Sequence, residues 1–161
     1  MLDNLKIKNT ICGNDLQQIK KILESTGFFY DFEVAIGVEV AEEYLKKGES
    51  SGYNFLAAEF NNELIAYTCY GEIPCTKKSF DLYWIAVRND YRNFGIGRYI
   101  MTLTENAVKL QGGRKIYIET SSRPQYEPTR KFYLKCGYNE SARLIDYYDI
   151  GDDKVIYDKK L

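Results

Sequence analysis

Apolar and polar residues alternate over residues 5–8, and this period of two predicts a half-buried strand. The period then lengthens. Leu16, Ile19, Ile22 and Leu23 recur at helical spacing behind Asn14, a side chain suited to an N-cap, and Asp15, an acid suited to the first turn, until Gly27 ends the run. Ile36, Val40, Tyr44 and Leu45 form a second helical stripe over residues 32–47, stopped by Gly48, with Phe28-Phe29-Tyr30 between the two helices. From residue 53 the pattern turns β-like. Residues 53–60 and 64–70 flank a polar turn at Asn61-Asn62-Glu63 and read as a hairpin, Gly71-Glu72-Ile73-Pro74 interrupts it, and residues 80–87 resume as a strand. After a basic turn with two glycines, Ile100, Leu103, Ala107 and Leu110 mark a helix over residues 99–110 that stops at Gly112-Gly113. Residues 115–120 are then a strand reached by a crossover, so they lie parallel to the strand before the turn. Pro124 and Pro128 open a short helix through Phe132, Tyr133 and Cys136, stopped by Gly137, and strands over residues 142–150 and 154–159 meet at Gly151-Asp152. The order β α α β β β α β α β β predicts an α/β fold: a mixed, mostly antiparallel twisted sheet with a central parallel βαβ crossover and flanking helices.

Composition narrows the function by exclusion. The 161 residues suffice for one domain with its own core, spanning 1–161, and a net charge of -1 offers no broad grip on nucleic acid. There is no histidine, and Cys12, Cys69, Cys75 and Cys136 form no CxxC pair, so no metal centre and no histidine-based triad is expected. With no apolar run long enough to span a bilayer and no signal-peptide pattern at the start, the expected setting is the cytoplasm, with no membrane partner. Fifteen Tyr and eight Phe are an unusual load, and most are expected in the core.

Chemistry concentrates in one stretch. The apolar strand end Ile85-Ala86-Val87 runs into Arg92-Asn93-Phe94-Gly95-Ile96-Gly97-Arg98 and then into a helix. Two glycines two apart let the backbone approach a ligand, the first helical N–H groups are free, the helix dipole is positive there, and an arginine stands at each edge. This is an anion site suited to a phosphate or pyrophosphate.

With the turn, its flanking strand and the Tyr-bearing helix placed, the chain resembles the GCN5-related N-acetyltransferase superfamily over nearly its whole length. Residues 92–97 fit that family's R-x-x-G-x-G turn, Ile85-Ala86-Val87 the strand before it, and Phe132-Tyr133-Leu134-Lys135-Cys136-Gly137-Tyr138 its F-Y-x-x-x-G-[FY] segment. A nicotinamide-dinucleotide turn also begins Gly-x-Gly, but its third glycine is here Ile100. The resemblance implies the acyl-CoA N-acyltransferase fold, acetyl-CoA as cosubstrate without a metal, and a small amine or peptide amine as acceptor. It gives the CoA phosphates to Arg92, Asn93, Phe94, Gly95, Ile96, Gly97 and Arg98, and the pantetheine arm to the strand at Ile85, Ala86 and Val87. Many members carry N-x-x-A-x-x-F-Y on the last helix, whereas this chain has Tyr126 in place of the Asn, leaving Thr129 or Arg130 as substitute contacts to the cosubstrate.

Acetyl transfer needs a neutral amine, a held oxyanion and a proton for the leaving thiolate. Alkylamines titrate near ~10.4, so without histidine a carboxylate is the expected base, directly or through water. A phenol can protonate a thiolate, and the resemblance places the family's usual acid at Tyr133. The favoured base is Asp81, on the strand that carries the acetyl group; a period-two count puts Asp81, Tyr83, Ile85 and Val87 on one face. Glu72 and Glu119 are rivals bordering the same cleft. Phe28, Phe29, Tyr30 and Tyr83 are candidate walls for the acceptor, which the three acids predict to be cationic, such as a polyamine, an aminoglycoside or a lysine side chain. The alternative is a non-catalytic acyl-CoA sensor or interaction module on the same fold, and either a monomer or a homodimer through the last strands is compatible with the sequence.

Overall fold

The structure, a computed structural model, describes residues 1–161. Strand β1 (Lys6–Lys8) leads to helices α1 (Asp15–Ser25) and α2 (Asp31–Lys47). Strands β2 (Asn54–Phe60), β3 (Glu63–Glu72) and β4 (Ser79–Val87) follow, then α3 (Ile96–Leu110), β5 (Lys115–Ser121), α4 (Glu127–Lys135), β6 (Asn139–Asp149) and β7 (Asp152–Lys160). All seven strands belong to one sheet in the order β1-β2-β3-β4-β5-β7-β6, with β4 and β5 the parallel pair and the other neighbours antiparallel.

Local chemistry explains most boundaries. Asn61 and Asn62 both sit in the left-handed region, at φ 52° and 64°, which is the backbone a two-residue hairpin turn requires and which Asn tolerates. Helix α2 starts where the Tyr30 N–H donates to the Glu33 carboxylate at 2.8 Å and ends at Gly48. The expected cap of α1 is different: Asn14 makes no side-chain cap. Asp15 instead accepts the Cys12 N–H at 2.8 Å and the Lys8 ammonium at 2.9 Å, because a carboxylate there also neutralises a lysine that bridges to Glu59 on β2. Strand β3 does not stop at Gly71 but runs through Glu72, since Gly71 and Glu72 pair with Asp81 and Phe80.

Two apolar clusters cover the two faces of the sheet. One joins Ile96, Ile100, Met101 and Val108 of α3 and Tyr133 of α4 to the strands, and the other joins Ile19, Ile22 and Leu23 of α1 and Val34 and Ala41 of α2. A buried hydrogen bond between the Thr68 and Thr104 hydroxyls, 2.8 Å long, fixes α3 against β3.

Strand β4 carries an irregularity that shapes everything near it. Trp84 opposes Cys69 and Leu82 opposes Tyr70, so Tyr83 is an extra residue in the ladder, a β-bulge. Phe80 and Leu82 before it pack on the α3 side, and so do Ile85 and Val87 after it, while Trp84 and Ala86 pack on the α1–α2 side. The expectation that Asp81, Tyr83, Ile85 and Val87 share one face therefore fails, because the bulge inverts the alternation: Asp81 lies on the α1–α2 face, opposite Ile85 and Val87. The same strand parts from β5. Only Ser79, Phe80 and Asp81 pair with it, opposite Lys115, Ile116 and Tyr117, and the remaining stretch of β4 presents an unpartnered edge to a gap.

Candidate active site

A cleft of about 1270 Å³ occupies this gap and opens to both faces of the sheet. Its α3 side is built from the basic turn. From residue 93 to residue 98 no backbone N–H finds an acceptor within the chain; the first that does is Tyr99, which donates to the Gly95 carbonyl at 3.0 Å. Gly95 is left-handed at φ 81°, which favours glycine, and a Cβ on Gly97 would stand in contact with the Phe132 ring at 3.4 Å, so its absence leaves this stretch of backbone open toward the cleft. Arg92, Asn93, Gly95, Ile96, Gly97 and Arg98 line the cleft, whereas Phe94 is exposed and outside it. The Arg92 guanidinium lies 4.6 Å above the Phe28 ring, and burial moves its pKa down. Ile85, Ala86 and Val87 line the gap along the free edge of β4. A row of unpaired N–H groups between arginines fits a pyrophosphate, and an unpartnered strand edge fits the amides of a pantetheine arm.

Tyr133 reaches the cleft from α4. Its ring is buried against Phe132, Tyr138 and Tyr157, with centroids 5.6, 6.4 and 5.7 Å away, and burial holds its phenol well above the ordinary range, so it stays protonated at neutral pH. Cys136, one turn on, also lines the cleft, and burial raises its thiol, keeping it out of the thiolate form. Thr129 lines the cleft. Arg130 turns away: its Nη1 donates to the carbonyls of Ser121 and Arg123 at 2.8 and 3.0 Å, fastening the loop after β5. Tyr126, where the family pattern has Asn, is a buried ring packed on Phe28 and Phe29, with its hydroxyl donating to the Phe28 carbonyl over 3.4 Å.

The α1–α2 side carries the acids. Glu119 lines the cleft and pairs with the Lys154 ammonium at 2.7 Å. Asp81 stands behind it on the same sheet face, opposite Tyr117 in the last paired step of β4, and does not itself line the cleft. Burial, then the nearby charge of Glu119, push Asp81 up to about 6, with Lys154 opposing. Tyr83, which lines the cleft, is exposed, packs edge-on against Tyr53 at 5.4 Å and is raised to about 12, burial first and Asp81 next. Glu72 lies apart, in a surface ion pair with Lys78 at 2.7 Å. Phe28, Phe29 and Tyr30 all line the cleft, Phe29 edge-on to Trp84 at 5.3 Å.

Several lining residues are ones the sequence reading passed over. Glu33 comes from the first turn of α2, Asp149 and Asp152 from the β6–β7 hairpin, and Arg123 from the loop after β5. Arg123 ties these together: its Nε lies 3.3 Å from Asp152 and its guanidinium 4.4 Å from the Tyr30 ring centre.

A parallel pair that opens ahead of a glycine turn of free N–H groups defines an acyl-CoA-dependent acyltransferase fold. The chain belongs to the acetyltransferase (GNAT) family, whose sequence profile matches residues 17–138, and is an acetyl-CoA-dependent N-acetyltransferase. It is similar to a crystal structure from Desulfovibrio desulfuricans described as a GNAT-family acetyltransferase, at 36% identity and a TM-score of 0.94, covering 97% of this chain and 98% of that one. An N-alpha-acetyltransferase of Sulfurisphaera tokodaii is 29% identical over 124 residues, 71% of each chain. The fold also matches a PaiA N-acetyltransferase from Thermoplasma acidophilum in complex with coenzyme A, with 16% identity, a TM-score of 0.74, and coverage of 98% of this chain and 99% of that one.

Proposed function

We propose that the protein moves the acetyl group of acetyl-CoA onto a primary amine by direct attack in a ternary complex, with Tyr133 as general acid and Asp81 as base. The turn at residues 92–98 binds the pyrophosphate, and the free edge of β4 holds the pantetheine arm so that the thioester lies in the gap. Acetyl-CoA supplies the acetyl carbon and a thiolate leaving group. Asp81 takes the ammonium proton through water or Glu119, since it stands one step back from the cleft. The freed nitrogen lone pair forms the C–N bond, and backbone N–H groups at the β4 edge steady the oxyanion. As the C–S bond breaks, Tyr133 gives its proton to the sulfur, and the second proton shed by the newly bonded nitrogen passes back to the phenolate, leaving a neutral amide, free CoA thiol and the one proton held by Asp81. The buried, protonated Cys136 is no nucleophile at neutral pH, which supports one direct step over an acetyl-cysteine relay.

The observation that carries this reading is the parting of β4 from β5 directly after Asp81, with Tyr133 lining the gap so formed. The test is amine-dependent CoA release by the wild type and Tyr133→Phe. Release lost in the variant, with acetyl-CoA binding retained, supports the assignment. Acetyl-CoA binding without release on any amine would make the protein an acyl-CoA-binding module.

A further inference from the structure

Large apolar side chains left in water are normally scattered, but here many converge on one mouth. Tyr30, Phe32 and Ile36 at the start of α2 are 53%, 62% and 48% exposed, and Tyr148 and Ile150 on the β6–β7 hairpin are 48% and 93% exposed. All five line the cleft.

Both rims are held in place. Tyr30 stacks on Phe32, with centroids 5.5 Å apart, and lies under Arg123. On the hairpin, β6 leaves register with β7 between Leu144 and Asp149, so the residues between them bow outward and carry Tyr148 toward the mouth. The bow is tied by the Gly151 N–H donating to Asp146 at 2.7 Å and the Asp146 N–H donating to Asp153 at 3.0 Å. Below the rims, Phe28, Phe29, Trp84 and Tyr126 continue the apolar wall inward. The acids set into it are Glu33, Glu119, Asp149 and Asp152; Lys154, which stands outside the lining, pairs with Glu119, and Arg123 pairs with Asp152.

A hydrated polycation buries little apolar surface against these five side chains, and the Tyr30 face is already taken by Arg123, whereas an amine borne on an apolar group buries that group and leaves its ammonium among the carboxylates. We infer that the acceptor is a primary amine carried on an aromatic or branched aliphatic group, which packs between the start of α2 and the β6–β7 hairpin while its nitrogen enters the gap between β4 and β5. This rests on the acetyl-transfer reading and narrows its acceptor.

The test is kcat/KM, by CoA release, for 2-phenylethylamine, a leucyl-glycine amide and spermidine, in the wild type and in Phe32→Ser and Ile150→Ser. Both apolar amines should exceed spermidine, and each substitution should lower the 2-phenylethylamine-to-spermidine ratio by roughly 10-fold, an effect a partly unfolded preparation would not mimic. The better of the two apolar amines tells whether a small molecule or a peptide end brings the group. Preference for spermidine, an unchanged ratio in both variants, or an Ile150→Ser effect confined to self-association overturns the inference while leaving acetyl transfer intact. Absence of amine-dependent release with all three overturns both.

Discussion

In the proposed mechanism Tyr133 and Asp81 carry opposite tasks, and the surroundings of each suit its own. Burial keeps the Tyr133 phenol protonated, so it can donate. Tyr133→Phe should lower kcat by about 100-fold or more while acetyl-CoA affinity, measured by calorimetry, changes little. Asp81 is raised to about 6 and must be ionised to accept a proton, so kcat/KM should fall as pH drops below about 6, and this limb should vanish in Asp81→Asn. The stability effect has the other sign. A carboxylate whose folded pKa lies above its unfolded value favours folding least when ionised, so its penalty grows as pH rises from about 4 to about 6. Asp81→Asn should therefore melt no lower than wild type at pH 7.5, separating lost catalysis from lost fold. The place of Tyr133 in the cleft was legible through the family resemblance, because F-Y-x-x-x-G sits on the last turns of a proline-opened helix and its end. Those of Glu33 and Arg123 were not, since their relevance lies in being brought beside Asp152 by elements far apart in the chain.

At the scale of elements, the hairpin at Asn61-Asn62, the crossover helix and the parallel strand were readable because each depends on local turn chemistry or a strong period. The bulge at Tyr83 was not, for a single extra residue leaves the composition of a strand unchanged and appears only when its partner is known. It decides the site nonetheless, turning Asp81 to one face and Ile85 and Val87 to the other. The glycine turn is the second such element. Gly95→Ala should strain a left-handed backbone by about 1–2 kcal/mol, lowering both the melting temperature and acetyl-CoA affinity. At the other end of the sheet, Asp15→Ala leaves the Lys8 ammonium with Glu59 as its sole partner and takes the acceptor from the Cys12 N–H. It should reduce stability in a urea melt by about 1–2 kcal/mol, with acetyl-CoA affinity unaffected.

For the whole molecule, the sheet acts as a wall with one opening, and in the proposed ternary complex the two substrates approach it from opposite faces. Arg92, Arg98 and Lys135 line the α3–α4 approach, and Glu33, Glu119, Asp149 and Asp152 the other, a division of charge that suits the anionic donor and cationic acceptor proposed above. No helix is long and apolar enough to cross a membrane. The proposed ternary complex has both substrates in one gap at once beside a protonated Cys136, so neither product should leave before both substrates have bound. Initial rates measured over a matrix of acetyl-CoA and amine concentrations test this most directly, with mass spectrometry of the enzyme incubated with acetyl-CoA alone. The account predicts intersecting double-reciprocal lines and an unmodified enzyme. Parallel lines, with an acetyl group found on Cys136, would contradict it.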